Sequence, residues 1–270
     1  MSNQSLTASH YDTDVCAEGW AQIEPLLQRK PGVGRPMTLD LCAVLNAILY
    51  VVRTGCQWRN LPHDFIKWSS AYYYFRKWCQ DGTWQTVNRH LVERDRLRME
   101  RDPEPTGAIF DSQSVKTTEA GGVKGLDGGK LINGRKRHIM TDTTGHLLEV
   151  VVTAANCQDR EGAKLLIAKL KTDTRTNLQK IWADGSYLGE PFLTWLTTEL
   201  HNIQLEIAKT PSSQKGFVPV PVRWVVERTF AWLGRYRRLS KDYEHCTTSS
   251  EGMIYAASIA TMLKRLALPA

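Results

Sequence analysis

From Gly107 onward the hydrophobic pattern switches period several times, and this switching restricts the fold to a mixed α/β class. Ala108-Ile109-Phe110 is a short apolar run that ends in Asp111. Residues 137–142 and 146–153 flank Thr143-Thr144-Gly145, which reads as a β-hairpin. Asp159 can cap a helix running to Lys171, with Ala163, Leu166, Ile167 and Leu170 on one face. Residues 178–183 form a buried-type strand that ends in Asp184. A helix over 191–200 follows, with proline in its first turn, and then a strand over 203–208. A long helix is expected over 222–239 and a terminal one over 249–266.

Before Gly107, residues 15–100 read as helical. Thr38 or Asp40 can cap a helix whose apolar residues Leu41, Val44, Leu45, Ile48, Leu49 and Val52 recur at helical spacing, and Gly55 stops it. Ser69 or Ser70 can cap a second helix over 71–80, which Gly82 ends. That helix carries Tyr72, Tyr73, Tyr74, Phe75, Arg76, Lys77 and Trp78. Such a mixture suits a helix packed on one side and facing phosphate on the other, and it suits an aromatic core helix with solvated charges equally well. The stretch 100–107 (ERDPEPTG) has linker composition. The chain therefore divides into a helical region over 1–104 and an α/β region over 105–270.

Charge separates the two regions further. Of 35 basic and 28 acidic residues, 13 and 12 lie within 1–105, and 22 and 16 within 106–270. Arg223, Arg228, Arg235, Arg237, Arg238 and Lys241 crowd one short segment against a single acid, Glu227. A basic excess of this kind fits a polyanionic partner. Six cysteines with neither C-x-x-C pairs nor zinc spacing read as reduced thiols. The polar start of the chain has no leader-like apolar segment. The longest apolar stretch, 41–52, is interrupted by Asn46 and falls short of the ~20 residues a membrane span needs. A cytoplasmic protein with no membrane partner is expected.

Two expected strands end in aspartate, Asp111 and Asp184, and ligands of open α/β sheets collect where strands end. Aspartate at one strand end is ordinarily a turn or cap residue, so neither is decisive alone. The long helix supplies a third acid. With Glu227 at zero on a wheel of ~100° per residue, Arg223 falls at about −40°, Gly234 at about −20° and Arg238 at about +20°. One helix thus presents a narrow Arg-Glu-Gly-Arg strip opposite an apolar arc. A surface Arg–Glu pair accounts for Arg223 and Glu227, but not for the surrounding arginines. Carboxylates without His or Cys partners suit a hard cation such as Mg²⁺. Two such ions support in-line phosphoryl displacement, and arginines bind the phosphodiester backbone. The chemistry points to phosphodiester cleavage or transfer.

The stretches AIFDSQSVKT, NGRKRHIMTDTTGHLLEVVVTAAN, IWADGSYLG and RWVVERTFAWLGRYRRLSKDYEH resemble insertion-sequence transposases of the DDE type, in the IS4/IS5-like branch. GRPMTLDLCAVLNAILYVVRTGCQWRNLP resembles the helical DNA-binding region of the same branch. The resemblance runs from about residue 15 to 266. It implies a ribonuclease-H-like mixed sheet flanked by helices, preceded by an all-α DNA-binding region. It implies Asp111, Asp184 and Glu227 as catalytic and metal-holding acids, with two Mg²⁺ ions that Mn²⁺ is able to replace. The branch signature Y-x2-R-x3-E-x6-K is half present: Arg223 and Glu227 fit, Val220 stands at the tyrosine position, and Gly234, next to Arg235, stands at the lysine position. The activity implied is cleavage and transfer of double-stranded DNA at terminal inverted repeats into target DNA, by a homodimer. A metal-dependent nuclease without transfer and a silent DNA-binding relic or repressor are the alternatives.

Arg223, Arg228, Arg235, Arg238, Lys136 and Arg137 are the expected DNA contacts. For Arg135-Lys136-Arg137-His138, charges that discourage strand pairing are the alternative. The glycine-rich stretch 121–130 lacks the phosphate-loop spacing and reads as a mobile loop, from which Lys124 and Lys130 can reach DNA. His138, His146, His201 and His245 have no ligand spacing. Trp224 and Trp232 can stack on a displaced base, and Trp232 falls in the apolar arc.

Overall fold

The computed structural model of the protein describes residues 11–28, 39–119, 121–171, 177–200, 203–208 and 221–267. Thr38, His201 and Val220, singled out above, lie outside them. Four helices come first: α1 (Ala17–Leu27), α2 (Leu41–Thr54), α3 (Trp68–Gln80) and α4 (Thr83–Arg98). Strands β1 (Gly107–Lys116), β2 (Gly125–Asp127), β3 (Ile132–Asp142) and β4 (Leu147–Ala154) follow. The rest alternates as α5 (Asp159–Lys171), β5 (Lys180–Ala183), α6 (Glu190–Glu199), β6 (Gln204–Ile207), α7 (Pro221–Leu233) and α8 (Thr247–Leu266).

Local chemistry explains most of these boundaries. Asp40 caps α2, its Oδ1 accepting from the amides of Cys42 at 2.8 Å and Ala43 at 3.3 Å. Gly55 ends that helix at φ +74°, a left-handed conformation that glycine adopts freely. α3 begins at Trp68, ahead of both candidate serine caps, and has no side-chain cap. The glycine-rich stretch contains the short strand β2.

β3 pairs antiparallel with β1 on one edge and with β4 on the other, where β2 covers its first residues. β1 pairs parallel with β5, and β5 parallel with β6. The order is β4-β3-β1-β5-β6 with β2 beside the start of β3, a mixed sheet flanked by helices and preceded by a helical region, as expected from the sequence.

Alternation along β1 sends its two faces into different cores. Ile109, with Ile139, Val150 and Val152, joins a core built with α1–α4, α7 and α8. Ala108 and Phe110, with Met140, Ile181 and Ala183, join a second core with α5 and α6. α8 is buried over most of its circumference and packs against β4, α2, α3 and α4. The N-terminal helices therefore rest on the same sheet face as α7. No helix among the described residues is long and apolar enough to cross a membrane.

Two of the boundaries that differ from those read in the sequence bear on the site. β1 does not stop at Asp111 but continues to Lys116, because β3 carries the pairing on where β5 ends. α7 ends at Leu233 rather than at residue 239. Gly234, a poor helix former, starts a turn, and Arg237–Leu239 forms a separate 3-10 turn. Arg238 is consequently not on the helical strip with Glu227.

Candidate active site

The pairing of β1 with β5 sets Ile109 opposite Trp182. Asp111 stands two residues beyond Ile109 on β1, and Asp184 directly follows the end of β5, so both carboxylates lie where the β1–β5 pairing ends. Strand alternation also fixes the face. Trp182 packs against the core shared with α7 and Ala183 into the other, so Asp184, like Asp111, lies on the α7 face. α7 packs across both β1 and β5. Glu227 is therefore carried by the helix that covers the strands bearing the two aspartates.

The two acids lie in each other's field. Burial, together with the neighbouring Asp184 charge, pushes the Asp111 carboxyl up to about 6, against the pull of the Ser112 amide, Lys130 and Arg223. Asp111 Oδ1 accepts from the Ser112 amide at 2.7 Å. Asp184 Oδ1 caps a one-turn helix by accepting from the amide and hydroxyl of Ser186, at 2.9 and 2.5 Å. The other carboxylate oxygen of each takes no hydrogen bond among the described residues. Tyr187, buried behind them, lies in the field of Asp111, Asp159 and Asp184, and its hydroxyl has no hydrogen-bond partner. Nothing in its sequence context flagged this tyrosine.

Glu227 stands differently. Its carboxylate meets Arg223 at 3.3 Å, with both side chains about 40% exposed. Among the described residues, no three His, Cys, Asp or Glu side chains are grouped closely enough to hold one ion. The structure thus brings Asp111 and Asp184 together, places Arg223 in the field of Asp111, and leaves Glu227 paired with Arg223.

The basic residues divide by environment. Arg235 is exposed and Arg223 half-exposed. Arg228 donates to the Thr144 carbonyl at 2.9 Å and lies over the Trp232 ring. Arg238 pairs with Glu244 at 2.8 Å. Lys136 is buried between Asp159, at 3.1 Å, and Asp127, at 3.7 Å. Arg137 is buried and donates to the carbonyls of Leu239 and Lys241. Their sequence, Arg135-Lys136-Arg137-His138, sits on a strand covered on both faces, which tandem basic residues give no hint of. Lys130 is exposed, with its Nζ 3.5 Å from the Ser112 carbonyl, next to Asp111. Trp232 is not simply core: guanidinium groups of Arg228 and Arg265 lie 4.6 and 4.3 Å from its ring centre.

A family model described as "Transposase DDE domain" matches residues 102–263. The chain belongs to the DDE transposase family. A second model, "Putative transposase of IS4/5 family", matches residues 15–88 of this transposase, the helical region. Two Burkholderia cepacia proteins are similar to it. The "Insertion element IS402 uncharacterized 16.2 kDa protein" is 32% identical over 111 residues, 38% of this chain and 74% of that protein. The "Putative transposase for insertion sequence element IS402" is 33% identical over 117 residues, 41% of this chain. The matched part spans about half of the latter, 54% of its length. Among solved structures, the transposase matches the Mos1 mariner paired end complex with Mn (TM-score 0.29, 11% identity, 92% of this chain and 84% of that one). It also matches the Mos1 strand transfer complex (TM-score 0.26, 12% identity, 92% and 83%).

Proposed function

We propose that the transposase binds the terminal inverted repeats of its own element as double-stranded DNA, cuts a strand there, and joins the freed 3′-hydroxyl to target DNA. It does so as a homodimer in the bacterial cytoplasm, with residues 1–104 reading the DNA end and 105–270 carrying catalysis. Asp111, Asp184 and Glu227 are the catalytic acids and the holders of the divalent cation, Mg²⁺ or Mn²⁺.

The observation that supports this reading is the parallel pairing of β1 with β5 beneath α7, with Asp111 on the first strand and Asp184 just past the end of the second. The donor set fits a hard cation: oxygens only, with one oxygen of each aspartate uncommitted and no His or Cys beside them. When bound, a pair of such ions activates an attacking oxygen and offsets the charge on the leaving one. The chain's own residues do the rest. Asp111 and Asp184 are held in place through Oδ1 by the Ser112 and Ser186 amides, leaving the second oxygen for coordination. Glu227 joins them by releasing Arg223, a step that costs little because an exposed i,i+4 ion pair is worth only ~0.3–0.5 kcal/mol. The freed guanidinium and the Lys130 ammonium then face the phosphodiester. Water in the cutting step and the 3′-hydroxyl in the joining step attack phosphorus in the same way, so one site serves both. No covalent protein nucleophile is required. Arg223 and Arg235 contact DNA, and the exposed Tyr72, Tyr73 and Lys77 of α3 form the face with which the helical region meets it.

The test is incubation of the protein with an inverted-repeat duplex, a target plasmid and Mg²⁺. Strand cutting that leaves a 3′-hydroxyl, followed by its appearance covalently joined to plasmid, is the expected result. Cutting without joining indicates a nuclease, and binding with neither reaction indicates a repressor. Either overturns the reading.

A further inference from the structure

The turn between β3 and β4 is tied to α4 through one buried imidazole and to α7 through its backbone carbonyls. His146 is 2% exposed. Its Nε2 lies 2.7 Å from Asp95 Oδ2 on α4, and its Nδ1 lies 3.1 Å from Asp142 Oδ2 at the end of β3. Thr144 Oγ1 is also 2.6 Å from Nδ1, but it donates its proton to Asp142 Oδ1 at 2.7 Å. Each ring nitrogen thus faces a carboxylate oxygen, an arrangement that two N–H donors, as in the imidazolium, satisfy in full. Asp142 is braced further by Arg96 of α4 at 2.5 Å and by the amides of Thr144 and His146, both at 2.9 Å.

The same turn is gripped from the other side by α7. Arg228 Nη2 donates to the Thr144 carbonyl and Thr229 Oγ1 to the Gly145 carbonyl, both at 2.9 Å. Gly145 holds φ +92°, and a Cβ there would stand 3.0 Å from Thr229 Oγ1, so α7 seats directly on the turn. These two α7 residues immediately follow Glu227. From α8, Arg265 reaches to 3.8 Å from Asp95 and covers Trp232 of α7. A side chain this deeply enclosed meets no substrate, so its arrangement between two carboxylates is not a catalytic one.

We propose that His146 is a positioning residue: it rivets the β3–β4 turn to α4, the turn in turn seats α7, and the seat sets where Glu227 stands relative to Asp111 and Asp184. The inference rests on the proposed role of Glu227. It also makes the helical region part of the active-site frame, since Asp95 and Arg96 belong to its last helix.

The charged groups around the imidazole are Asp95, Arg96 and Arg98 from α4, Asp142 from β3, Arg228 from α7 and Arg265 from α8. Burial acts to lower the His146 pKa, and the hydrogen bonds to Asp142 and Asp95 outweigh it, holding the group above the usual histidine value. A raised pKa in the folded protein gives a contribution that is complete at low pH and is lost as pH rises through that value. The rivet therefore fails on the alkaline side.

Hydrogen exchange and single-turnover cleavage of an inverted-repeat duplex, run side by side on the full-length protein, test the proposal. In His146→Leu, α7 amides are expected to exchange at least ten-fold faster and cleavage to slow at least ten-fold, with DNA affinity unchanged. His146→Gln, which keeps hydrogen bonding without charge, should recover part of both and lose the alkaline fall in wild-type cleavage rate. Thr229→Val, which cuts the grip from the α7 side without touching the ion cluster, should shift both readouts the same way and carries the test if His146→Leu does not fold. Wild-type α7 exchange in these variants overturns the positioning role. Faster α7 exchange with unchanged cleavage overturns the link to Glu227. Wild-type protein that does not cut the duplex at all counts against the proposed function instead, leaving the exchange result to decide the rivet.

Discussion

Asp111→Asn and Asp184→Asn are each expected to slow strand cutting on the order of 10³-fold, about 4 kcal/mol of transition-state stabilisation, with binding of the DNA end within about two-fold of wild type. Asparagine keeps the shape of the side chain and an oxygen to accept from the Ser112 or Ser186 amide, so the local backbone has no reason to move. What it loses is the negative charge and a hard oxygen donor on the α7 face. Double substitution should cost little more than either single one, as the proposed joint role of the two carboxylates requires. Asp159→Asn is the control: this acid lies on the opposite sheet face, where it accepts from Ser112 Oγ and pairs with Lys136. Its replacement should show as lost stability rather than as a cutting defect of that size. Single-turnover rates beside gel-shift affinities for the three variants decide the matter, and near-normal cutting by Asp111→Asn contradicts the assignment.

The second large effect is on folding. Arg135→Met should lower the melting temperature on the order of 10 °C, from a loss of roughly 3–5 kcal/mol. Arg135 is fully buried at the start of β3. Its guanidinium reaches Asp242 at 3.0 Å, Ser250 Oγ at 2.9 Å and the carbonyls of Glu244, His245 and Val123 at 2.7 to 2.8 Å. It thereby ties the segment that leads into α8 onto the sheet. Methionine fills much of the space but leaves the buried Asp242 carboxylate without its counter-charge and three carbonyls without their donor. Arg135→Lys should recover only a fraction, since one ammonium cannot reproduce a planar fork of donors. Adding Asp242→Asn to Arg135→Met should return part of the loss by removing the stranded charge. Calorimetry on the three proteins checks this, and an unshifted melting point for Arg135→Met contradicts it.

The sequence carried the order of strands and helices well, because period-2 and period-3.6 runs are local and survive without knowledge of neighbours. Asp40, Gly55 and the Thr143-Thr144-Gly145 turn are legible for the same reason. The face on which Asp111 and Asp184 lie follows from alternation once the strands are paired, but the pairing itself is a long-range fact. That is why β1 reads as ending at Asp111 when β3 in fact extends it. The end of α7 is not legible because the apolar pattern of Tyr236 and Leu239 continues in phase past Gly234, although both are buried by a turn rather than a helix. Basic residues were the least legible. Arg135, Lys136 and Arg137 have the composition of a phosphate-binding strand, yet each is consumed by a carboxylate or carbonyl that arrives from 23 or more positions along the chain or from a neighbouring loop. His146 has no ligand spacing, and its partners lie on α4 and at the end of β3. Only the folded turn reveals what it holds.

The claim on which the mechanism depends is that Asp111, Asp184 and Glu227, dispersed in sequence, hold divalent metal in common. Iron-directed fragmentation tests this most directly: Fe²⁺ is bound to the protein–DNA complex in place of Mg²⁺, ascorbate and peroxide are added, and the backbone breaks are mapped. Breaks clustered around all three positions, suppressed by excess Mg²⁺ and absent from Asp111→Asn, are the expected result. Breaks near 111 and 184 with the backbone around 227 intact, or breaks centred instead on Asp127 and Asp159, contradict it.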